Sequence, residues 1–332
     1  MTVSLSLRNH PSIPEATRER IKSIAEQNGY RPDPMVGRLM RHLRVGVKQR
    51  QGAMICALGL RFSHKRRGYA EDILDGAKAR AAELGFFLDR LWLDETGLDP
   101  ARLKRLLRSR GVEALLLLPM AEPLDLTETL DWANVSAVAT SATVTAPHVH
   151  TVLPAQFGNT LALCSALRAE GARRIGLVTV RAQDKRVEHR VAAAVAWHNL
   201  EHGCPEVTPL LLDSWEVDKT AFRDWYSRVK PDAIVADVQA YLDIMHELVP
   251  ARERAKIRFA CTTLAHGETT RYAGIEEDAH GIGATAIELL DWMYQHGERG
   301  IPVKPRVTLV TGRYRPAPAA KTSARSQAAA RA

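Results

Sequence analysis

The residues of this 332-residue chain that could do chemistry are cations gathered towards its ends, with no catalytic set among them. Residues 1–52 carry ten Lys/Arg against four acids, a net +6 in a chain whose total is +8. Residues 318–332 add Lys321, Arg325 and Arg331 and no acid, so the stretch between them nets −1. A strongly basic arm on a near-neutral body suits the phosphate backbone of a nucleic acid, and a solvated basic face is the other reading of the same charges. Within the arm, Met35, Val36, Leu39, Met40 and Leu43 recur at helical spacing, interleaved with Arg38, Arg41 and Arg44. That pattern predicts a short amphipathic helix, marginal on its own and in need of a partner helix or DNA. A plain linker helix would carry the same periodicity.

Several classes are excluded by what the residues do not form. There is no GxxxxGK[ST], HExxH or GxSxG, and no GxGxxG after a first strand, so no enzyme is expected. The twelve histidines are dispersed, and His148 and His150 read as exposed loop residues rather than metal ligands. Cys56, Cys164, Cys204 and Cys261 form no CxxC pair and read as buried free thiols of a reducing cytoplasm. Neither a metal nor a cofactor is expected. No apolar run approaches the roughly 20 residues that span a bilayer, and no secretory signal opens the chain, which gives a cytoplasmic protein with no membrane partner.

The elements that must position these residues follow from periodicity. Thr2-Val3-Ser4 opens a short helical stretch. Glu15 to Asn28 predicts a helix, with Pro14 in its first turn, Glu15 at its positive end, Ile21 and Ile24 on its apolar stripe and Gly29 as its stop. From residue 53 strands alternate with helices. Strands are expected at 53–60, 86–93, 112–119 and 136–141, with helices at 69–85 and 99–111. The pattern repeats with strands at 173–180, 208–213, 232–236 and 257–263, and helices at 159–170, 187–202, 219–229 and 238–248. Apolar strands alternating with amphipathic helices imply α/β lobes, each a doubly wound parallel sheet covered on both faces. The closing segment, GIEEDAHGIGATAIELLDWMYQHGERG followed by RVTLVTGRYR, would cross back between lobes. Residues 317–332 read as a disordered tail.

The order TVSLSLRN, then TRERI, then GYRPD resembles the headpiece of the lac-repressor family of bacterial regulators, with its TVSxxLN, TRERV and GYxPN. GIGATAIELL is similar to that family's MGxxAVELL helix. The resemblance covers residues 2 to about 316 and implies three parts. These are a partial helix-turn-helix headpiece with a hinge helix over 1–45, a two-lobed periplasmic-binding-protein-like core over 53–316, and the tail. Lobe one would take about 53–156 plus 276–300, and lobe two about 157–275 plus 301–316. The implied function is that of a ligand-responsive transcriptional regulator, a repressor binding palindromic operator DNA as a homodimer, with a sugar-like effector. Ligand closure of the lobes would alter the hinge and so the DNA affinity.

By this resemblance Thr2, Val3, Ser4 and Leu5 fall on the recognition helix, with Arg8 and Asn9 at its end. Thr17 and Arg18 would contact phosphate, and Leu39, beside Arg38, would wedge into the minor groove. The family's first headpiece helix would precede Met1, and without it Val3, Leu7 and Ile21 are expected to be partly unburied. The expectation is a start upstream of Met1; a relative that has become a cytosolic small-molecule binder without specific DNA binding is the other reading. Effector contacts are implied for Tyr69, Ser141, Arg186, His189 and Asp237. Arg186 matches the arginine that forks onto sugar hydroxyls or a carboxylate, while Arg190, within one turn, fits that role as well, and a surface ion pair would account for Arg186 equally. Tyr69 suits a ligand-facing ring or a core position. Asp237-Val238 replaces the family's Asn-Asp, Ser141 replaces a common Asp, Asp33-Pro34 departs from the usual Asn, and Val36 is bulkier than the usual Ala.

Overall fold

A computed structural model describes residues 2–7, 11, 13–27, 54–60, 67–94, 99–120, 122–204, 207–264 and 270–318. The expected hinge helix over Met35–Leu43, with Arg38 and Leu39, lies outside them, as do Arg8, Asn9 and the tail from 319.

The N-terminal segment is a pair of helices, α1 (Thr2–Leu7) packed on α2 (Glu15–Gln27). The carbonyl of Pro14 accepts from the N–H groups of Thr17 and Arg18, both at 3.0 Å, so the proline that lacks a donor closes the first turn. Val3 is 58% exposed, and Leu7 and Ile21 are half-buried.

The chain divides into two compact units, one of Met1–Val152 with His280–Thr308, the other of Leu153–Ala279 with Leu309–Ala332. The sheet of the first unit is built from β1 (Met54–Gly59), β2 (Phe87–Trp92), β3 (Val112–Leu117), β5 (Ser136–Ala139), β7 (His150–Pro154) and β13 (Val307–Val310), in the order β13-β7-β5-β3-β1-β2. The five strands from β2 to β7 run parallel. Leu115, Leu116 and Leu117 are all fully buried, as both faces of a parallel strand must be when helices cover each side. A separate short parallel pair, β4 (Leu124–Asp125) with β6 (Val144–Ala146), lies outside this sheet. The helices are α3 (Arg67–Glu83), α4 (Pro100–Ser109) and, later in the chain, α11 (Ala279–His296). Asp99 caps α4 by accepting from the Ala101 N–H at 2.9 Å.

Glycine decides how α3 meets α11. A Cβ on Gly283 would overlap the Ile73 carbonyl, and one on Gly76 would overlap the His280 carbonyl, so the two helix backbones touch where no other residue fits. This is the packing reason for glycine in GIGATAIELL.

In the second unit the sheet is built from β8 (Ile175–Val180), β9 (Leu210–Leu212), β10 (Ala233–Ala236), β11 (Arg258–Leu264), β12 (Ala273–Glu276) and β14 (Arg313–Arg315), ordered β14-β12-β11-β10-β8-β9. β9 to β12 are parallel and β14 is antiparallel to β12. Alternation along the strands splits the core in two. Val178, Val180, Ile234 and Ala236 pack with Phe222 and Trp225 of α8 (Lys219–Val229) and with Leu242 and Met245 of α9 (Gln239–Leu248). Ile175, Leu177, Ala233 and Val235 pack on the other side with Leu163 and Leu167 of α5 (Gln156–Ala169) and with Val191 and Val195 of α7 (Arg190–Glu201).

Two expectations are corrected. The helix expected at 187–202 starts later than expected: a separate α6 (Arg181–Arg186) ends, Glu188 and His189 turn left-handed at φ 55° and 59°, and α7 runs from Arg190 to Glu201. The Asp184 carbonyl accepts the His189 N–H at 2.8 Å, and the Asp184 carboxylate takes its ring, which stabilises a turn that β-carbons disfavour. His150, expected to be exposed, is fully buried in β7. Its Nδ1 accepts from the Arg306 N–H at 2.9 Å, so Nε2 carries the proton and donates to Glu298 Oε1 at 2.8 Å. His148 is exposed.

Candidate functional site

In an open parallel sheet, ligands bind beyond the carboxyl ends of the strands where the strand order reverses. Here the reversals fall between β1 and β3 in the first unit and between β8 and β10 in the second. The five residues expected to contact effector all stand after the carboxyl end of a strand: Tyr69 after β1, Ser141 after β5, Arg186 and His189 after β8, and Asp237 after β10.

In the second unit Asp237 is buried, with Oδ2 accepting from the Thr179 hydroxyl of β8 and Oδ1 from Thr262 of β11 at 3.5 Å. One carboxylate thus ties three neighbouring strand ends together. Asp184, on α6 directly after β8, is 4% exposed. Its Oδ2 takes the His189 Nδ1–H at 2.6 Å, and its Oδ1 is buried without a hydrogen-bond partner. This contact orients the ring, whose side chain is largely exposed. Arg190, in the first turn of α7, spends Nη2 on Glu188, while its Nη1 is buried and unpartnered. Arg186 donates instead to Gln183, one turn back on its own helix. Gln239, in the first turn of α9, has a buried Oε1 with no partner.

The strand ends of the first unit are arranged differently. Ser141 Oγ lies 2.6 Å from Thr143 Oγ1, which accepts the Met120 N–H at 3.0 Å, and the Thr143 N–H donates back to Ser141 Oγ at 3.3 Å. Tyr69 is half-buried in the first turn of α3. The structure therefore brings His189 to Asp184, Asp237 to Thr179 and Thr262, and Ser141 to Thr143. Asp184, Gln239, Thr143 and the two threonines on Asp237 were not singled out from the sequence. For Asp184 the only signal was an acid five residues before a histidine, a spacing that a continuous helix would not bring into contact.

In the N-terminal segment Thr2, Val3, Ser4 and Leu5 lie on α1, and Thr17 and Arg18 are half-buried in the first turn of α2. Burial pushes the Cys56 and Cys164 thiols up to about 12, and among the described residues no group of three His, Cys, Asp or Glu side chains is placed to hold a metal ion. No described helix is long and apolar enough to cross a membrane.

Residues 1–33 match the family of bacterial regulatory proteins, lacI family. No curated protein sequence matches the chain. Among solved structures, the chain is similar to the transcriptional regulator CelR in complex with cellobiose, with 18% identity over 95% of this chain and 94% of that one and a TM-score of 0.58. It is similar to the lac repressor dimer bound to operator and the anti-inducer ONPF, with 15% identity over 94% and 92% of the two chains and a TM-score of 0.58. A LacI family transcriptional regulator from Enterococcus faecium with bound ribose matches at 13% identity over 80% of this chain and 97% of that one, with a TM-score of 0.56. At these identities the structures establish the fold, that of the periplasmic-binding-protein-like core of such regulators. Over its first 33 residues the chain is similar to the bacterial regulatory proteins of the lacI family, and its core has the fold of the solved regulators.

Proposed function

We propose that this chain is a cytoplasmic, ligand-responsive repressor that binds a palindromic operator as a homodimer and is released or tightened by a small sugar-like effector. The observation that carries the reading is the lacI-family segment over 1–33 joined to a core whose strand ends hold buried, unmet polar atoms. Asp184 Oδ1 and Gln239 Oε1 lack a donor, and Arg190 Nη1 lacks an acceptor. A sugar hydroxyl both donates and accepts, so a polyol answers both kinds of need. Cellobiose and ribose are the ligands of two regulators with this fold.

Of the two arginines, Arg190 is the better effector ligand, because Arg186 already donates to Gln183. His189 is oriented towards the same task by Asp184, and Asp237 supports the strand ends rather than the ligand. Tyr69 and Ser141 are assigned to effector contacts at the strand ends of the first unit. On the DNA side, Thr2, Val3, Ser4 and Leu5 are assigned to the recognition helix, Arg8 and Asn9 to DNA contacts following it in sequence, Thr17 and Arg18 to phosphate, and Arg38 and Leu39 to the hinge. The homodimer would use the open sheet edges β2 and β9, where Phe87 and the nearby Trp215 are exposed.

The test is an anisotropy titration of palindromic DNA from the protein's own promoter region at several salt concentrations. A preference over scrambled DNA is expected, with affinity falling as salt rises; salt dependence without preference would remove operator recognition. A thermal-shift panel of mono- and disaccharides, including cellobiose and ribose, should show a stabilising sugar whose shift disappears in Arg190→Ala and persists in Arg186→Ala. The reverse pattern would return the role to Arg186.

A further inference from the structure

Helices α3 and α4 of the first unit differ in how they distribute charge. On α3 the signs are mixed: Glu71, Asp72, Asp75 and Glu83 stand among Lys78 and Arg80, with Lys78 paired to Asp75 and Arg80 to Glu83. α4 carries Arg102, Lys104, Arg105 and Arg108, with Arg110 as its C-cap, and no acid stands between Pro100 and Gly111. The four arginines are exposed and Lys104 is half-buried. Arg108 pairs with Asp131 at 2.9 Å and Arg110 with Asp89 at 2.7 Å. Among the described residues, no carboxylate meets Arg102, Lys104 or Arg105.

Local stability does not account for this set. Arg102 with Arg105, and Lys104 with Arg108, stand one turn apart, where like charges repel. Arg102 also lies in the first turn, at the positive end of the helix dipole, where a carboxylate is the favourable residue. The body from 53 to 317 nets −1, so five cations in this short segment are a local concentration and not a share of a basic surface. Such a row attracts a polyanion.

The place of the segment in the fold selects which polyanion. α4 leads through Arg110 and Gly111 into Val112, the first residue of β3, and Val112 is the register partner of Met54, the first residue of β1. Paired strands lie about 4.8 Å apart. The last turn of α4 therefore ends where the chain enters the core from residues 1–52, the stretch that carries a net +6. An acidic protein segment would suit the same cations, but nucleic acid is the polyanion that the basic arm brings to this end of the sheet. We propose that α4 is a second DNA contact of this chain, in which Arg102, Lys104 and Arg105 hold phosphates of the duplex flanking the site gripped by the arm, without reading bases. Arg108 and Arg110 join them, because exposed ion pairs are weak and yield to phosphate. The proposal rests on the reading of residues 1–52 as a DNA-binding arm.

Anisotropy titrations of the full chain with two duplexes test it. Both hold the promoter palindrome, one in roughly 20 base pairs, two helical turns, and one extended on both sides to roughly 60. The wild type should bind the longer duplex more tightly. Arg102→Gln combined with Arg105→Gln should weaken that binding about tenfold at about 0.1 M salt and make the log–log salt slope shallower by about 2. The loss should be equal on scrambled DNA of the same length, absent on the short duplex, and restored by Arg102→Lys with Arg105→Lys, since a phosphate needs only the charge. Both positions are exposed, so the melting temperature should hold. Wild-type affinity of the glutamine pair for the longer duplex overturns the proposal; if that pair instead loses binding to polyglutamate, the face belongs to an acidic protein segment. Arg18→Gln separates this contact from the arm. It should weaken binding to both duplexes. If it changes neither while the glutamine pair still weakens the longer one, the arm reading falls and the α4 contact stands. A wild type that binds neither duplex overturns both.

Discussion

Among the described residues at the carboxyl ends of the strands, the polar groups of the first unit around Ser141 close on one another, whereas the second unit leaves three open. Ser141, Thr143 and the Met120 N–H form a finished chain. Asp184 Oδ1, Arg190 Nη1 and Gln239 Oε1 are buried with no partner. Unmet buried polar atoms are costly, at about 1–3 kcal/mol each, and natural proteins tolerate few of them away from functional sites. Both ends belong to sheets of one design, with the order reversing at the same place. The difference therefore teaches a division of labour among the described residues: the buried polar atoms left open for a ligand lie at the strand ends of the second unit.

Four substitutions would break or sharpen that contrast. The largest effect is expected at the helix contact of the first unit. Gly283→Val forces a branched side chain into the Ile73 carbonyl and should cost about 3 kcal/mol or more in urea unfolding. A mild loss would mean that this contact is not rigid. Next, Thr143→Val removes the acceptor of the buried Met120 N–H and should cost about 2 kcal/mol. Asp184→Asn should act in the opposite direction. Replacing a buried, half-satisfied carboxyl group should raise ligand-free stability by about 1 kcal/mol, as expected of a residue retained for binding. If Asp184→Asn destabilised the protein as Thr143→Val does, the division of labour would fail.

The smallest effect concerns pH. Burial, with His202 beside it, holds the His198 imidazole below its usual value. The unfolded chain then binds a proton near pH 6.5 that the folded chain does not, so stability should fall as pH drops through that value. His198→Gln should lose a few tenths of a kcal/mol of that slope between pH 7 and 5, read from urea midpoints.

The strands at 112–119 and 232–236 were legible because a strand buried on both faces is an unbroken apolar run, and the helix expected at 219–229 is α8, whose N-terminus Asp218 caps. β7 escaped notice: it is five residues long and opens on a histidine whose burial depends on Glu298, 148 residues away. The break between α6 and α7 was invisible for a related reason. Helical spacing continues across Glu188 and His189, and neither is a glycine, so only the bonds to Asp184 reveal the turn. That single break also moved the strongest candidate from Arg186 to Arg190, since it sets one on α6 and the other at the head of α7.

The division of the chain also sets a timetable for synthesis. The five parallel strands of the first unit are complete by Pro154, but α11, whose glycine receives Ile73, comes only after Leu153–Ala279 has been made. At about 5–20 residues per second that interval is roughly 6–25 s. During it the α3 surface around Gly76 has no cover, while the parallel strands of the second unit, all within Ile175–Glu276, can already assemble. The nascent protein should therefore make the parallel strands of its second unit before α11 can cover α3, with β14 joining that sheet last, and a chain truncated near residue 279 should carry an exposed α3 face that binds a chaperone.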